Sequence, residues 1–64
     1  MANFLGNVFM QLFVYVDGKR FEVVYATCVM KDANRFIESH PGTSVIDVSP
    51  VTGIILVARD EPAL

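Results

Sequence analysis

The chain has 64 residues, seven acidic and five basic, giving a net charge of −2 and a pI near 5.0. That length makes one domain with a barely sufficient core, and the acidic balance disfavours nucleic-acid binding, which relies on clustered cations that release counterions. Hydrophobic residues reach 53% against 19% charged, more apolar than so short a chain can hide, so association is the expected outlet.

The first segment, residues 3–16, reads as a strand. The opening Met-Ala-Asn-Phe-Leu-Gly-Asn lacks the basic start of a signal peptide, and the apolar run after it, interrupted by Gln11, shows no small-residue cleavage site. No run approaches the length of a bilayer span, and neither end carries a lipidation motif. The single cysteine, Cys28, has no internal partner, which fits a reducing cytoplasm.

Asp17-Gly18 then closes a hairpin with residues 19–29. Both turn residues tolerate positive φ, as a two-residue type I′ turn requires, so Val16 faces Lys19. Counting outward pairs Tyr15 with Arg20, Val14 with Phe21, Phe13 with Glu22 and Leu12 with Val23. Beyond these come Gln11 with Val24, Met10 with Tyr25 and Phe9 with Ala26. Cross-strand partners share a face and successive residues alternate. One face then holds Val8, Met10, Leu12, Val14, Val16, Phe21, Val23 and Tyr25, and is expected to be the core. The other holds Phe9, Gln11, Phe13, Tyr15, Arg20, Glu22, Val24 and Ala26. Large apolar side chains on both faces depart from the alternation of a half-solvated hairpin.

Past the hairpin the period changes. Ala33, Phe36, Ile37 and His40 fall at i, i+3, i+4 and i+7, one stripe of a helix over residues 32–40. Asp32 is the expected N-cap, and Pro41-Gly42 stops the helix. At about two turns it needs packing to persist. A second hairpin, residues 43–49 and 54–59, is joined by Pro50-Val51-Thr52-Gly53. Ile54 to Ala58 is apolar on both faces, which suits a central strand. Residues 60–64 form an acidic, proline-containing tail that is expected to fray. The fold class is therefore α+β: a single domain, 1–64, in the order ββαββ, with a four-stranded, mostly antiparallel sheet and one short helix on one face.

No catalytic constellation is legible. His40 has no serine or cysteine nucleophile at a spacing that implicates it, and it reads as a capping or partly buried histidine. One histidine and one cysteine fall short of a zinc ligand set, and the dispersed glycines form no phosphate-cradling loop. Cys28 reads as a small hydrophobe, or as a crosslink should it lie at a two-fold axis. Between Asp17 and Arg35, four basic and three acidic residues make a solvated mixture rather than a patch. No catalytic residue, cofactor or metal is thus expected.

The remaining feature is a surface. A two-turn helix cannot cover four strands, so the outer hairpin face (Phe9, Gln11, Phe13, Tyr15, Arg20, Glu22, Val24) is expected to be an interface. The functional expectation is a small, non-enzymatic cytoplasmic interaction or regulatory protein. It would be a homodimer with an unidentified protein partner, in the style of the accessory proteins of phages and plasmids. The alternative is a module binding single-stranded nucleic acid, with Phe9, Phe13 and Tyr15 stacking bases beside Arg20.

Overall fold

A computed structural model describes residues 12–63. It has the expected order: β1 (Leu12–Val16), β2 (Lys19–Thr27), α1 (Met30–Ser39), β3 (Thr43–Val48) and β4 (Ile55–Arg59). The four strands form one sheet in the order β1-β2-β4-β3, and every neighbouring pair is antiparallel. β4 is therefore central, as its two-sided apolar run predicts. It separates β2 from β3, which run parallel to each other and are joined through α1.

The first hairpin takes the register that Asp17-Gly18 dictates, from Val16 opposite Lys19 to Leu12 opposite Val23. Asp17 and Gly18 have φ of 54° and 79°, the two positive values of a type I′ turn. Of the two, Gly18 carries the larger strain for any L side chain. Gly18→Val is expected to cost roughly 1–2 kcal/mol without a steric clash, since the space around it is open. Thermal melting at fixed protein concentration checks this, and an unchanged midpoint would contradict it. The pairs expected for Gln11, Met10 and Phe9 lie outside the described residues.

Which face carries the helix differs from the expectation. The register between β2 and β4 shifts between Val23 and Tyr25, a β-bulge that breaks the alternation at Val24. Val24 and Tyr25 both pack toward the buried cluster of Ala33, Ile55 and Val57, together with Phe36, Ile37 and Val45. By register the helix side then holds Phe13, Tyr15, Arg20, Glu22, Val24, Tyr25 and Thr27. Leu12, Val14, Val16, Phe21 and Val23, expected in the core, lie on the opposite face with Ala26 and Leu56. No described element lies over that face. Ala58 lies there too, flanked in register by Val23 and Ser44, and is fully shielded.

The faces exchange because charge does not mark the solvent side in this hairpin. Glu22 and Arg20 are on the helix side but at the hairpin end, past Val24 and Tyr25 where α1 packs. There Glu22 accepts a hydrogen bond from Arg59 Nε at 2.9 Å, and Arg20 lies 4.6 Å over the Phe13 ring. The helix thus leaves room for polar groups on its own side.

The helix starts earlier than expected. Val29 is the N-cap and makes no side-chain capping bond; Asp32 falls within the first turn. Thr27 Oγ1 accepts from the Val29 N–H at 3.1 Å, while the Val29 carbonyl accepts from Asp32 and Ala33. The chain is therefore turned into the helix by Thr27, and Asp32 contributes charge near the positive helix end. The tail is tied down instead of fraying: Ala63 N–H donates to the Arg20 carbonyl at 2.6 Å, and Ser44 Oγ to Asp60 at 2.7 Å. Both partners are distant in sequence, so local composition carries no sign of them.

Candidate interaction surface

The described hairpin residues expected to meet a partner divide into three groups. Val24 packs against the helix and belongs to the core margin. Phe13, Arg20 and Glu22 are half-buried at the hairpin end, with Arg20 over Phe13 and Glu22 bonded to Arg59. Tyr15 is the open one, 71% exposed. Phe9 and Gln11 lie outside the described residues. Sequence reasoning misses Leu12, which it assigns to the core and which is 53% exposed on the helix-free face.

Leu12 and Tyr15 both belong to β1, an outer strand of the sheet. All five residues of β1 are apolar or aromatic, and none carries a charge. Their side chains alternate, with Phe13 and Tyr15 toward the helix side and Leu12, Val14 and Val16 toward the other. The other outer strand, β3, differs. It contains Asp47 and Ser44, and its register with β4 shifts between Val45 and Asp47. A bulge and a charge are common protections against edge pairing. Among the described residues β1 has neither.

A second apolar group lies at the opposite end of the sheet, where Thr27, Ile55 and Val48 are in register. Val29, Met30, Val48, Ile54 and Val51 are all exposed there, Val51 to 91%. Its sequence signal is positional: Val51 occupies a turn, and Val29 and Met30 stand at the very start of the helix. Cys28 is also exposed at that end.

The helix side carries an aromatic column. Tyr25 and Phe36 are stacked with ring centroids 4.5 Å apart and planes 5° from parallel, and Phe36 and His40 follow at 3.9 Å and 10°. His40 Nδ1 lies 3.0 Å from the Phe36 carbonyl. Ser39 Oγ lies at the same distance, 3.0 Å, from Nδ1. His40 is the C-cap, exposed, with its backbone N–H donating to the Ile37 carbonyl at 3.3 Å and its carbonyl accepting from Thr43 Oγ1 at 2.6 Å. Family models, curated proteins and solved structures all give no match to the chain.

The chemistry open to this surface therefore rests on its side chains alone. An open groove of about 350 Å³ is lined by Tyr25, Asp32, Arg35, Phe36 and Ser39. Asp32 and Arg35 face each other at 3.8 Å, and Ser39 Oγ is engaged with the Arg35 and Phe36 carbonyls. A second, of about 310 Å³, is lined by Pro41, Gly42, Arg59, Asp60 and Glu61. Ser39 Oγ also lies 3.0 Å from His40 Nδ1, an exposed pair whose hydroxyl is shared with the Arg35 and Phe36 carbonyls. Among the described residues no group of three or more His, Cys, Asp or Glu could hold a metal ion. No helix among them is long and apolar enough to cross a membrane.

Proposed function

We propose that this chain is a non-enzymatic interaction protein whose working form is a homodimer, joined through the hairpin β1–β2. The observation that carries this reading is the combination on β1: an uncharged outer strand whose Leu12 and Tyr15 side chains, on opposite faces, both stand in solvent. Isolated exposed apolar residues need no explanation, but five consecutive apolar or aromatic residues on an outer strand do. A second copy fits this strand because it offers the same uncharged surface in return, as two-fold assembly requires.

Several features support the reading. The fully buried hydrophobic set is small, comprising Ala33, Ile55, Val57 and Ala58 among the described residues. Much of the apolar content is therefore still available for burial by association. In this reading the protein acts by occluding or bridging a macromolecule, not by turning over a substrate. A reducing cytoplasm suits its lone, exposed Cys28, and its size suits an accessory protein of a phage or plasmid.

Sedimentation equilibrium from micromolar to millimolar concentration tests the proposal. The parent is expected to approach twice the monomer mass, while Leu12→Lys and Tyr15→Lys remain monomeric at concentrations where the parent is paired. Both positions are exposed, so the variants are expected to keep the parent's far-UV circular dichroism. A parent of monomer mass throughout the range would overturn the reading.

A further inference from the structure

We infer that residues 60–63 form a latch across the turn end of the sheet, holding the β1–β2 hairpin in line with β4. The topology creates the need for one. β2 is the sheet neighbour of β1, and the last pair of β2 with β4 in this direction is Val23 with Ala58. Lys19 to Glu22, with Phe13 to Val16 opposite them, therefore project past the end of that ladder. A two-stranded hairpin is marginal in water without further support.

The chain after β4 supplies that support. Arg20 stands opposite Tyr15, between Val16–Lys19 and Val14–Phe21, which are the hydrogen-bonded pairs next to a two-residue turn. The Arg20 carbonyl consequently points away from β1, toward the side that β4 occupies farther along. Ala63 N–H donates to it at 2.6 Å. Strict continuation from Val23–Ala58 would set Glu61 opposite Arg20, so two extra residues are taken up before Ala63 reaches it. Pro62 precedes the donor, and its fixed φ restricts the ways in which the chain can return. The other end is pinned at Asp60, whose N–H donates to the Gly42 carbonyl at 2.8 Å and whose carboxylate accepts from Ser44 Oγ at 2.7 Å. Gly42 and Ser44 stand at the start of β3. The segment thus runs from the β3 side of the sheet to the hairpin, and the bond from Arg59 Nε to Glu22 ties the same two parts just inside it.

These ties are few, and Asp60, Ser44 and Arg59 are all exposed. Behind them β4 carries Val57 and Ala58, which have no solvent exposure. Exposed hydrogen bonds with little buried apolar surface open locally at low cost, whereas the shielded strand opens only with the whole fold. The latch therefore releases while the rest of the sheet stands. Release loosens the Tyr15–Arg20 step first, because Ala63 is bonded to Arg20 itself. The segment accordingly sets how firmly the exposed Tyr15 is presented. This device is intramolecular and does not depend on the homodimer.

Amide hydrogen exchange of the full chain, read by NMR, tests the latch. Ala63→Pro removes the donor to Arg20 and is expected to speed exchange at Val16 and Lys19 roughly fivefold. The amides of Leu56 and Val57 in β4 are expected to exchange as in the parent. Asp60→Ala gives up the Ser44 bond at the other end and is the gentler variant, expected to move the same hairpin amides in the same direction. Glu61→Gln, exposed between the two ties, is the control and is expected to match the parent. Parent-like exchange at Val16 and Lys19 in folded Ala63→Pro would overturn the latch. Equal acceleration in the hairpin and β4, up to global unfolding, would make the segment a brace of the whole fold and overturn it too. The measurements are repeated on dilution, where an effect of the latch persists. A difference between variant and parent that vanishes at low concentration would assign the protection to pairing between copies, overturning the latch and leaving the homodimer standing.

Discussion

Val57→Asp is expected to abolish folding, the largest effect of any single substitution in this chain. Val57 has no solvent exposure and lies on the central strand β4, opposite Tyr25 on one side and Val45 on the other, beneath Ala33 of the helix. A carboxylate there would have no charged partner in the buried cluster. Its desolvation cost exceeds the roughly 5 kcal/mol available to a small domain, and protonating it would still bury an unpaired hydroxyl. Val57→Ala keeps the site apolar but removes two methyl groups and leaves a void, for an expected loss of about 2 kcal/mol. Far-UV circular dichroism and urea denaturation at one fixed protein concentration measure both, because association would add its own stabilisation. A cooperative, parent-like transition for Val57→Asp would show that the helix does not seal β4 from water.

The contrast between Val57 and the hairpin shows which features a sequence of this kind can carry. The Asp17-Gly18 turn is local chemistry, and from it the register of β1 and β2 follows pair by pair. The stripe of Ala33, Phe36 and Ile37 is equally local, and those residues do face the sheet. The outer face of the hairpin is harder to read. One extra residue at Val24 is enough to put Val23 and Tyr25 on opposite faces although both are odd-numbered, and nothing in Glu-Val-Val-Tyr announces a bulge. The charges mislead for a related reason. Arg20 and Glu22 lie on the helix side, but their partners are Phe13, adjacent on β1, and Arg59, thirty-seven residues away. Side-chain polarity reports whether water or a partner is near, and only the position of the helix reveals which. Of the residues expected on the outer face, Tyr15 is exposed and Val24 belongs to the core margin, while Leu12, expected in the core, is exposed on the opposite face.

Phe36→Ala is expected to release the helix from the sheet. Ten residues of α1 cannot sustain a helix alone in water, and the docking side chains are few: Ala33, Phe36 and Ile37. Phe36 is the largest of them, and its ring is held between Tyr25 of β2 and His40 beyond the last turn. Truncation removes both ring contacts together with the buried area of a half-buried aromatic. The expected loss is about 2–3 kcal/mol, around half of what a domain of this size has to lose. Phe36→Leu restores most of the apolar volume without the stack, so it is expected to cost only about 1 kcal/mol. The difference between the two variants isolates burial from ring geometry. Chemical denaturation gives the stabilities, and proton chemical shifts of the Tyr25 and His40 rings report the stack directly, since both should lose their ring-current displacement in either variant. Equal stability of Phe36→Ala and the parent would mean that Ala33 and Ile37 alone seat the helix. Unchanged ring shifts would mean that the Tyr25–Phe36–His40 column does not form in solution.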